Sequence, residues 1–308
     1  VDNRDLPRGL LRRDKLLFLK SYPILRKRYS TFKMDTNNKD NTNNAWQQVE
    51  RARHADRPRM MFFIEALFED FIELHGDRCS GDDPAIVGGL ARFNGETVMV
   101  IGQQKGVATD EKVYRNFGMA HPEGYRKALR LMRMAEQFSY PILNFVDTPA
   151  AYPGIEAEAR GQGSAIAQNL LALFCIKSPI FAVVLSEGGS GGALGIAVAD
   201  YIVMFEGALY MICPPERCAE ILWRDSKKKG LAAQALKAGA SDLLAGGLID
   251  KILSESEHNG TLDPAFMAAN LRKEIAYFLK QYKDGYWSVE QRQQKFRNIG
   301  VWNLASHD

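Results

Sequence analysis

The chain has 308 residues, 46% hydrophobic and 25% charged, which is enough apolar material for one large or two modest cores and too much for a disordered polypeptide. No run approaches the roughly 20 consecutive apolar residues that a membrane span needs, and Cys79, Cys175, Cys213 and Cys218 form no Cys-x-x-Cys pair, which argues against a zinc ribbon or a disulfide scaffold and fits a reducing cytoplasm. The net charge of +3 is uneven: residues 1–33 carry ten Lys/Arg against three Asp, a local +7, which leaves −4 for residues 34–308 and no basic surplus for nucleic-acid phosphates.

Met34 is followed by D-T-N-N-K-D-N-T-N-N at 35–44, a polar run with nothing to bury. Residues 1–44 are therefore expected as a leader outside the fold, with 1–33 either preceding a natural start at Met34 or forming a removable extension. A targeting peptide is the competing reading, weakened by the segment's acids and by its having only Ser21 and Ser30. A polar helix is predicted over about 45–55. Beyond Pro58, the residues Met60, Phe63, Ile64, Leu67, Phe71 and Leu74 recur at helical steps, which predicts a second helix reaching Leu74. The run 75–84 reads as a turn. Strands are predicted at Ala85–Phe93 and Thr97–Gly102, joined by Asn94-Gly95 as a hairpin.

The centre repeats one unit. Ile142–Asp147 and Ile180–Leu185 are short, nearly uninterrupted apolar runs, each preceded by a proline and a helical segment, as parallel strands buried on both faces are. One intervening helix opens at Pro122-Glu123-Gly124, with Leu131, Met134 and Phe138 as a core stripe, and the next runs from Gly163 to Phe174. Strand-like Tyr201–Phe205 and Leu209–Cys213 follow, and then a helical part from Ala232 to about Lys283. The reading is an α/β fold with a mainly parallel sheet, a domain over 45–283, and a tail over 284–308 with no clear period.

In such a sheet, ligands sit beyond the carboxyl ends of the strands. The first apolar strand runs into D-T-P-A-A-Y-P-G (147–154), the second into S-E-G-G-S-G-G-A-L (186–194). The glycines of the second loop lead directly into a helix, whose first N–H groups would face developing negative charge, as in an oxyanion hole. Loss of one such donor typically costs about 2.7–4 kcal/mol of transition-state stabilisation. The plain alternative is tight helix–sheet packing. A Walker A loop fails at Ala193-Leu194, and a dinucleotide fingerprint fails at Leu194. G-G-S-G-G also matches a nucleophile elbow with Ser190 at its tip, but the downstream histidines are only His258 and His307, and His258 stands too near Asp250 for a hydrolase triad. No metal spacing is visible among the histidines.

G-G-L-A-R (88–92), R-N-F-G-M (115–119), H-P-E-G-Y-R-K-A-L-R-L-M (121–132), D-T-P-A-A-Y-P-G (147–154), E-A-R-G-Q-G (158–163), E-G-G-S-G-G-A-L (187–194) and I-L-W (221–223) stand in the order of the alpha-subunit family of bacterial acetyl-coenzyme A carboxylase carboxyltransferase, which the chain resembles over roughly 45–255. The resemblance implies a crotonase-type fold of repeated ββα units with helical segments at either end. It also implies carboxyl transfer from carboxybiotin on a carrier protein to acetyl-CoA, giving malonyl-CoA, the first committed step of fatty acid synthesis. Implied partners are a zinc-finger beta subunit supplying the CoA side and the biotin carboxyl carrier protein, in an α2β2 assembly; this chain itself is expected to hold no covalently bound cofactor and no metal, and to bind no membrane and, through its folded part, no nucleic acid.

By position, the resemblance gives the amides of Gly191 and Gly192 to the biotin oxygen, with Ala150 and Ala151 as the opposite wall. Gly188, Gly189, Ser190, Tyr152, Pro153 and Gly154 fall at biotin- or substrate-binding positions. Lys105, Lys112, Arg115, Arg126 and Lys127 are candidates for attracting CoA or the carrier, against the alternative that they only face water. Three places depart from the family pattern: Ala150 at a usual glycine, Ser186 at another, and Pro214-Pro215-Glu216-Arg217 in place of S-P-E-G. If position 150 needs φ > 0, alanine costs about 1 kcal/mol there. These departures leave two other readings, a divergent hydratase- or isomerase-like acyl-CoA enzyme and a non-catalytic paralogue that only binds a beta subunit.

Overall fold

The structure, a computed structural model, describes residues 41–257 and 262–299; most of the leader, His258 and the last residues of the tail lie outside the described residues. The first element among the described residues is α1 (Asn41–Ala52), which starts four residues before the expected Ala45. After the break at Pro58 comes α2 (Met60–Leu67), M-M-F-F-I-E-A-L, which buries Met60, Phe62, Phe63, Ile64 and Leu67.

The helix does not continue to Leu74. Phe68 is extended at φ −116° and ψ 155°, and the chain becomes the edge strand β1 (Glu69–Glu73), antiparallel to β2 (Ile86–Phe93). Phe71 and Leu74 still pack on the core, now from the strand and from the residue after it. Gly89 of β2 makes this possible, because a Cβ there would lie 2.0 Å from the Ile72 carbonyl oxygen. β2 turns into β3 (Glu96–Gln103) through Asn94 and Gly95, at φ 50° and 82°, the left-handed pair of a type I′ hairpin.

Next come α3 (Thr109–Tyr114), α4 (Pro122–Gln137), β4 (Ile142–Thr148), α5 (Ile155–Ala159), α6 (Gln162–Leu173), β5 (Ile180–Gly189), α7 (Ser190–Ala197), β6 (Tyr201–Phe205) and β7 (Leu209–Met211). α8 (Pro215–Trp223), α9 (Lys229–Leu236) and α10 (Ala240–Ala245) lead to β8 (Lys251–Leu253), α11 (Pro264–Lys283) and α12 (Val289–Arg297). β8, parallel to β6, interrupts the stretch expected to be helical. The sheet order is β1-β2-β3-β4-β5-β6-β8, parallel from β3 to β8. Every residue of β4 and β5 is buried, which explains their unbroken apolar runs. Phe63, Phe145, Phe181, Phe205 and Phe278 fill the interior at 0% exposure, each contributing about 1.5–3 kcal/mol by leaving water.

Two features position the site. β5 pairs with β6 over Phe181–Val184 and with β7 over Glu187–Gly189, and its register with β4 shifts between Val146 and Thr148. At this carboxyl end, where the two loops leave the sheet, β5 thus changes partner from β6 to β7 while staying paired to β4 at Thr148–Gly188. At the opposite end, the aperiodic tail contains a capped helix: Ser288 and Gln291 form a reciprocal capping box at the start of α12, and Arg292 is buried at 1% exposure.

Candidate functional site

The chain turns from β5 into α7 without a connecting loop. Gly189 is extended at φ −98° and Ser190, the first helical residue, has φ 51°, a strained conformation for a residue with a Cβ. The turn after β4 lies directly against this corner. A Cβ on Gly189 would sit 1.8 Å from the Pro149 carbonyl oxygen, and one on Gly192 would sit 2.4 Å from the Ala151 nitrogen and 2.5 Å from the Ala150 carbonyl carbon. Main chain meets main chain here, so both glycines are sterically required. Gly191 differs: a Cβ would approach nothing closer than the Ile166 methyl groups at 3.8 Å.

Helix α7 has no side-chain cap, and among the described residues no main-chain carbonyl outside the helix accepts from the Gly191 or Gly192 N–H. These are two of the amides that a helix start leaves unpaired. The carbonyls of the same helix are well supplied. Gln103 Nε2 donates to the Gly192 oxygen at 2.7 Å and the Tyr125 hydroxyl donates to it at 3.1 Å, while Asn169 Nδ2 reaches the Gly195 oxygen at 3.0 Å and Asn144 Nδ2 the Ile196 oxygen at 2.7 Å. Gln103, Tyr125, Asn144 and Asn169 are all at 0% exposure.

The opposing turn is held from within and from behind. The Thr148 hydroxyl donates to the Ala150 oxygen at 2.6 Å, and the Tyr152 N–H donates to the Ala120 oxygen at 3.0 Å. The Tyr152 ring stacks on His121 with centroids 4.0 Å apart. Ala150 is not among the residues with positive φ, so the conformational cost anticipated for alanine at this position does not arise.

Beneath the corner lies a buried ionic network. Asp147, fully buried, faces Lys105 Nζ and Arg59 Nη1, each at 3.2 Å, and accepts the Ser186 hydroxyl proton. Glu187 accepts from Lys105 at 2.5 Å and from Arg53 at 2.7 Å, and Arg53 continues to Glu216 at 2.6 Å. Burial by itself would push both carboxyls up. Lys105 and then Arg59 around Asp147, and Lys105 and then Arg53 around Glu187, outweigh it and hold both below the ordinary carboxylate range. Both are therefore ionised and neutralised by their cations. Ser186, which departs from the family glycine, contributes its hydroxyl to this network.

Two of the cations considered for attracting CoA or the carrier have partners inside the fold. Lys105 is consumed by Asp147 and Glu187, and Lys127, at 0% exposure, donates to Asp82 at 2.5 Å and to the Asp83 carbonyl at 2.9 Å; neither ammonium is available to an outside anion. Arg126 pairs with Asp77 at 2.8 Å and Glu123 at 2.9 Å, and Arg115 with Glu111 at 3.1 Å. Pro153 is exposed and Gly154 half-buried where α5 starts, while Gly188 lies under the Tyr210 ring. The residues that sequence reasoning missed are Gln103, Tyr125, Arg59 and Asn144. Gln103 is signalled by polarity at the end of an apolar strand, T-V-M-V-I-G-Q-Q-K (97–105), and Asn144 by a polar residue inside the apolar run I-L-N-F-V-D (142–147); Tyr125, on a helix, and Arg59, before one, carry no such signal.

A groove of about 800 Å³ opens beside the corner, lined by Ser190, Gly191, Leu194, Tyr210, Leu243 and Phe296 among others. Ser190 is exposed, but the described histidine rings are engaged elsewhere: His54 accepts from the Asp56 amide, His75 pairs with Asp82, and His121 faces Asn116. Asp250 accepts from the Ile202 amide at 2.6 Å. No group of side chains among the described residues could hold a metal ion, and no described helix is long and apolar enough to cross a membrane.

A strand-to-helix corner at the carboxyl end of a mainly parallel sheet fits a crotonase-type fold, and solved structures of carboxyltransferases share the fold. The transcarboxylase 12S structure with methylmalonyl-coenzyme A bound has a TM-score of 0.62 at 20% identity, over 83% of this chain and 47% of that one. The beta subunit of P. aeruginosa geranyl-CoA carboxylase has a TM-score of 0.58 at 15% identity, over 82% and 46%. The chain thus spans about half of each of these larger proteins.

Residues 21–300 match the family model described as acetyl co-enzyme A carboxylase carboxyltransferase-like, and the chain belongs to that family. It is 55% identical over 258 residues to the acetyl-coenzyme A carboxylase carboxyl transferase subunit alpha of Geobacter metallireducens, covering 82% of this chain and 80% of the relative. It is 49% identical over 259 residues to the subunit of the same name from Thermus thermophilus, covering 83% and 82%. The protein is a carboxyltransferase subunit of the alpha kind.

Proposed function

We propose that this chain forms the biotin side of a carboxyltransferase that moves the carboxyl group of carboxybiotin, presented by a carrier protein, to acetyl-CoA. A beta subunit supplies the CoA side and the zinc finger in an α2β2 assembly in the cytoplasm. The observation that carries the reading is the contact of Gly189 and Gly192 with the Pro149–Ala151 turn. Beside it the Gly191 and Gly192 amides start α7 without a cap, Gly191 lines the groove, and the proposed chemistry requires no side-chain acid or base among them.

When carboxybiotin releases CO2, the electron pair of the broken N–C bond delocalises onto the ureido oxygen. Two preorganised N–H donors at that oxygen stabilise the charge as it forms and need no reorientation. The ureido nitrogen then takes a proton from the acetyl methyl group, and the resulting enolate carbon bonds to CO2, giving malonyl-CoA and neutral biotin. The ionised Asp147 and Glu187 stay out of the proton balance, since each is held by two cations.

The test is reconstitution with a beta subunit, run in reverse with malonyl-CoA and a soluble biotin derivative. Acetyl-CoA should form only with both subunits and biotin present, and Gly192→Val should abolish it while assembly persists. Turnover of an enoyl thioester by the chain alone would favour a hydratase, and assembly without transfer a non-catalytic paralogue.

A further inference from the structure

We infer that Gln103 is a positioning residue for carboxyl transfer: its carboxamide locks the end of β4 to the start of α7 and so fixes where the Gly192 amide points. The inference rests on the proposed role of that amide. Gln103 is the last residue of β3 and fully buried. Its Oε1 accepts the Asp147 N–H at 3.0 Å, and its Nε2 donates to the Gly192 oxygen at 2.7 Å. One planar group thereby ties together the main chains of the two loops that face each other across the site.

Gly192 is the residue this tie would affect most. Its Cα is packed on the Ala150–Ala151 peptide, its N–H is one of the two unpaired donors, and its carbonyl takes a second donor, the Tyr125 hydroxyl at 3.1 Å, from α4. Three constraints from β4, β3 and α4 therefore act on a single residue without side chain. Two donors from different elements fix the plane of the peptide that follows Gly192, and the contact with Ala150–Ala151 fixes its Cα. The Gly192 N–H lies on the other side of that Cα, in the peptide before it, so with Cα and the following peptide held it retains only rotation about the Gly192 N–Cα bond; restricting that turn is the condition for electrostatic preorganisation.

The side-chain chemistry is specific. Only a carboxamide of this length both accepts from the Asp147 amide and donates to the Gly192 carbonyl. Glutamate keeps the acceptor and turns the second contact into a repulsion. Methionine fills the volume and makes neither bond. If Gln103 merely filled space, methionine would serve as well as glutamine.

The experiment uses the assembled complex in the reverse reaction with malonyl-CoA and biocytin, comparing wild type, Gln103→Met, Gln103→Glu and Tyr125→Phe. For Gln103→Met, kcat is expected to fall about 10- to 100-fold, the order of loss that small misplacement of a catalytic group produces, with the KM for malonyl-CoA unchanged within about twofold. Gln103→Glu should fall at least as far. Tyr125→Phe, which deletes one of the two donors on the Gly192 carbonyl and keeps the ring, should lose about 3- to 10-fold in kcat, a fraction of the same effect. A wild-type kcat in Gln103→Met, or a loss confined to KM, overturns the inference. If Gln103→Met fails to assemble, Tyr125→Phe decides, and an unchanged kcat there overturns it. A wild-type complex that makes no acetyl-CoA overturns the reading of the site itself, and the inference with it.

Discussion

The two ends of β5 solve opposite problems with similar materials. At its amino end, side chains satisfy the main chain: the Ile180 N–H donates to Asp200 at 2.7 Å, and Arg292 donates to the carbonyls of Leu173, Ile176 and Ser178 at 2.6, 2.8 and 3.0 Å while pairing with Asp200 at 2.7 Å. At its carboxyl end, the charged groups Asp147, Glu187, Lys105, Arg53 and Arg59 satisfy one another below the surface. The first amides of α7 are left without partners. One end is closed by side chains and stable for that reason; the other is built so that its backbone remains available. In the proposed function this corner acts through two N–H groups to which no side chain among the described residues is bonded.

The sharpest way to break this contrast is Gly192→Val. Its Cβ would have to enter the space of the Ala150–Ala151 peptide, and the expected loss is at least the roughly 10²- to 10³-fold in kcat that follows removal of one oxyanion donor, measured in the reconstituted complex. At the other end, Arg292→Ala leaves Asp200 buried without its cation and three carbonyls without a donor. It should cost about 3–5 kcal/mol of stability in denaturant unfolding, with kcat per folded complex unchanged.

A pH titration sharpens the contrast further. Asp147 and Glu187 have folded pKa values depressed from ordinary values of 3.8 and 4.5. Their stabilisation is complete above about pH 4.5 and is lost as the pH falls through the folded values. Lys105→Met removes the cation they share, so acid unfolding should begin at a higher pH than in the wild type. The smallest effect is expected for Gly191→Ala: with 3.8 Å of clearance, the methyl group fits, and kcat should change by no more than about threefold. A collapse of activity in Gly191→Ala with Gly192→Val intact would reverse the assignment of the two glycines.

Much of this was legible in the letters. The Asn94-Gly95 hairpin, the two doubly buried strands and the two loops at their carboxyl ends each carry a local signal that the fold respects. Elements whose identity depends on a distant partner were not legible. Phe71 and Leu74 keep helical spacing from Leu67, yet they lie on or beside a strand because Gly89 lets the β1 backbone approach. β8 is three residues long, and only its pairing with β6 marks it as a strand. Lys105 and Lys127 look like surface cations in sequence, and only the fold brings Asp147, Glu187 and Asp82 to them. Ala150 could not be judged from its neighbours, because its backbone angle is set by the Thr148 hydroxyl and by packing on Gly189 and Gly192.

Under the proposed function, the corner at Gly189–Gly192 also determines how the catalyst could be attacked. The groups proposed to act there are peptide N–H groups, which neither alkylating agents nor oxidants modify and which side-chain mutagenesis cannot delete. An inhibitor directed here has to win as a rival hydrogen-bond acceptor of the right shape.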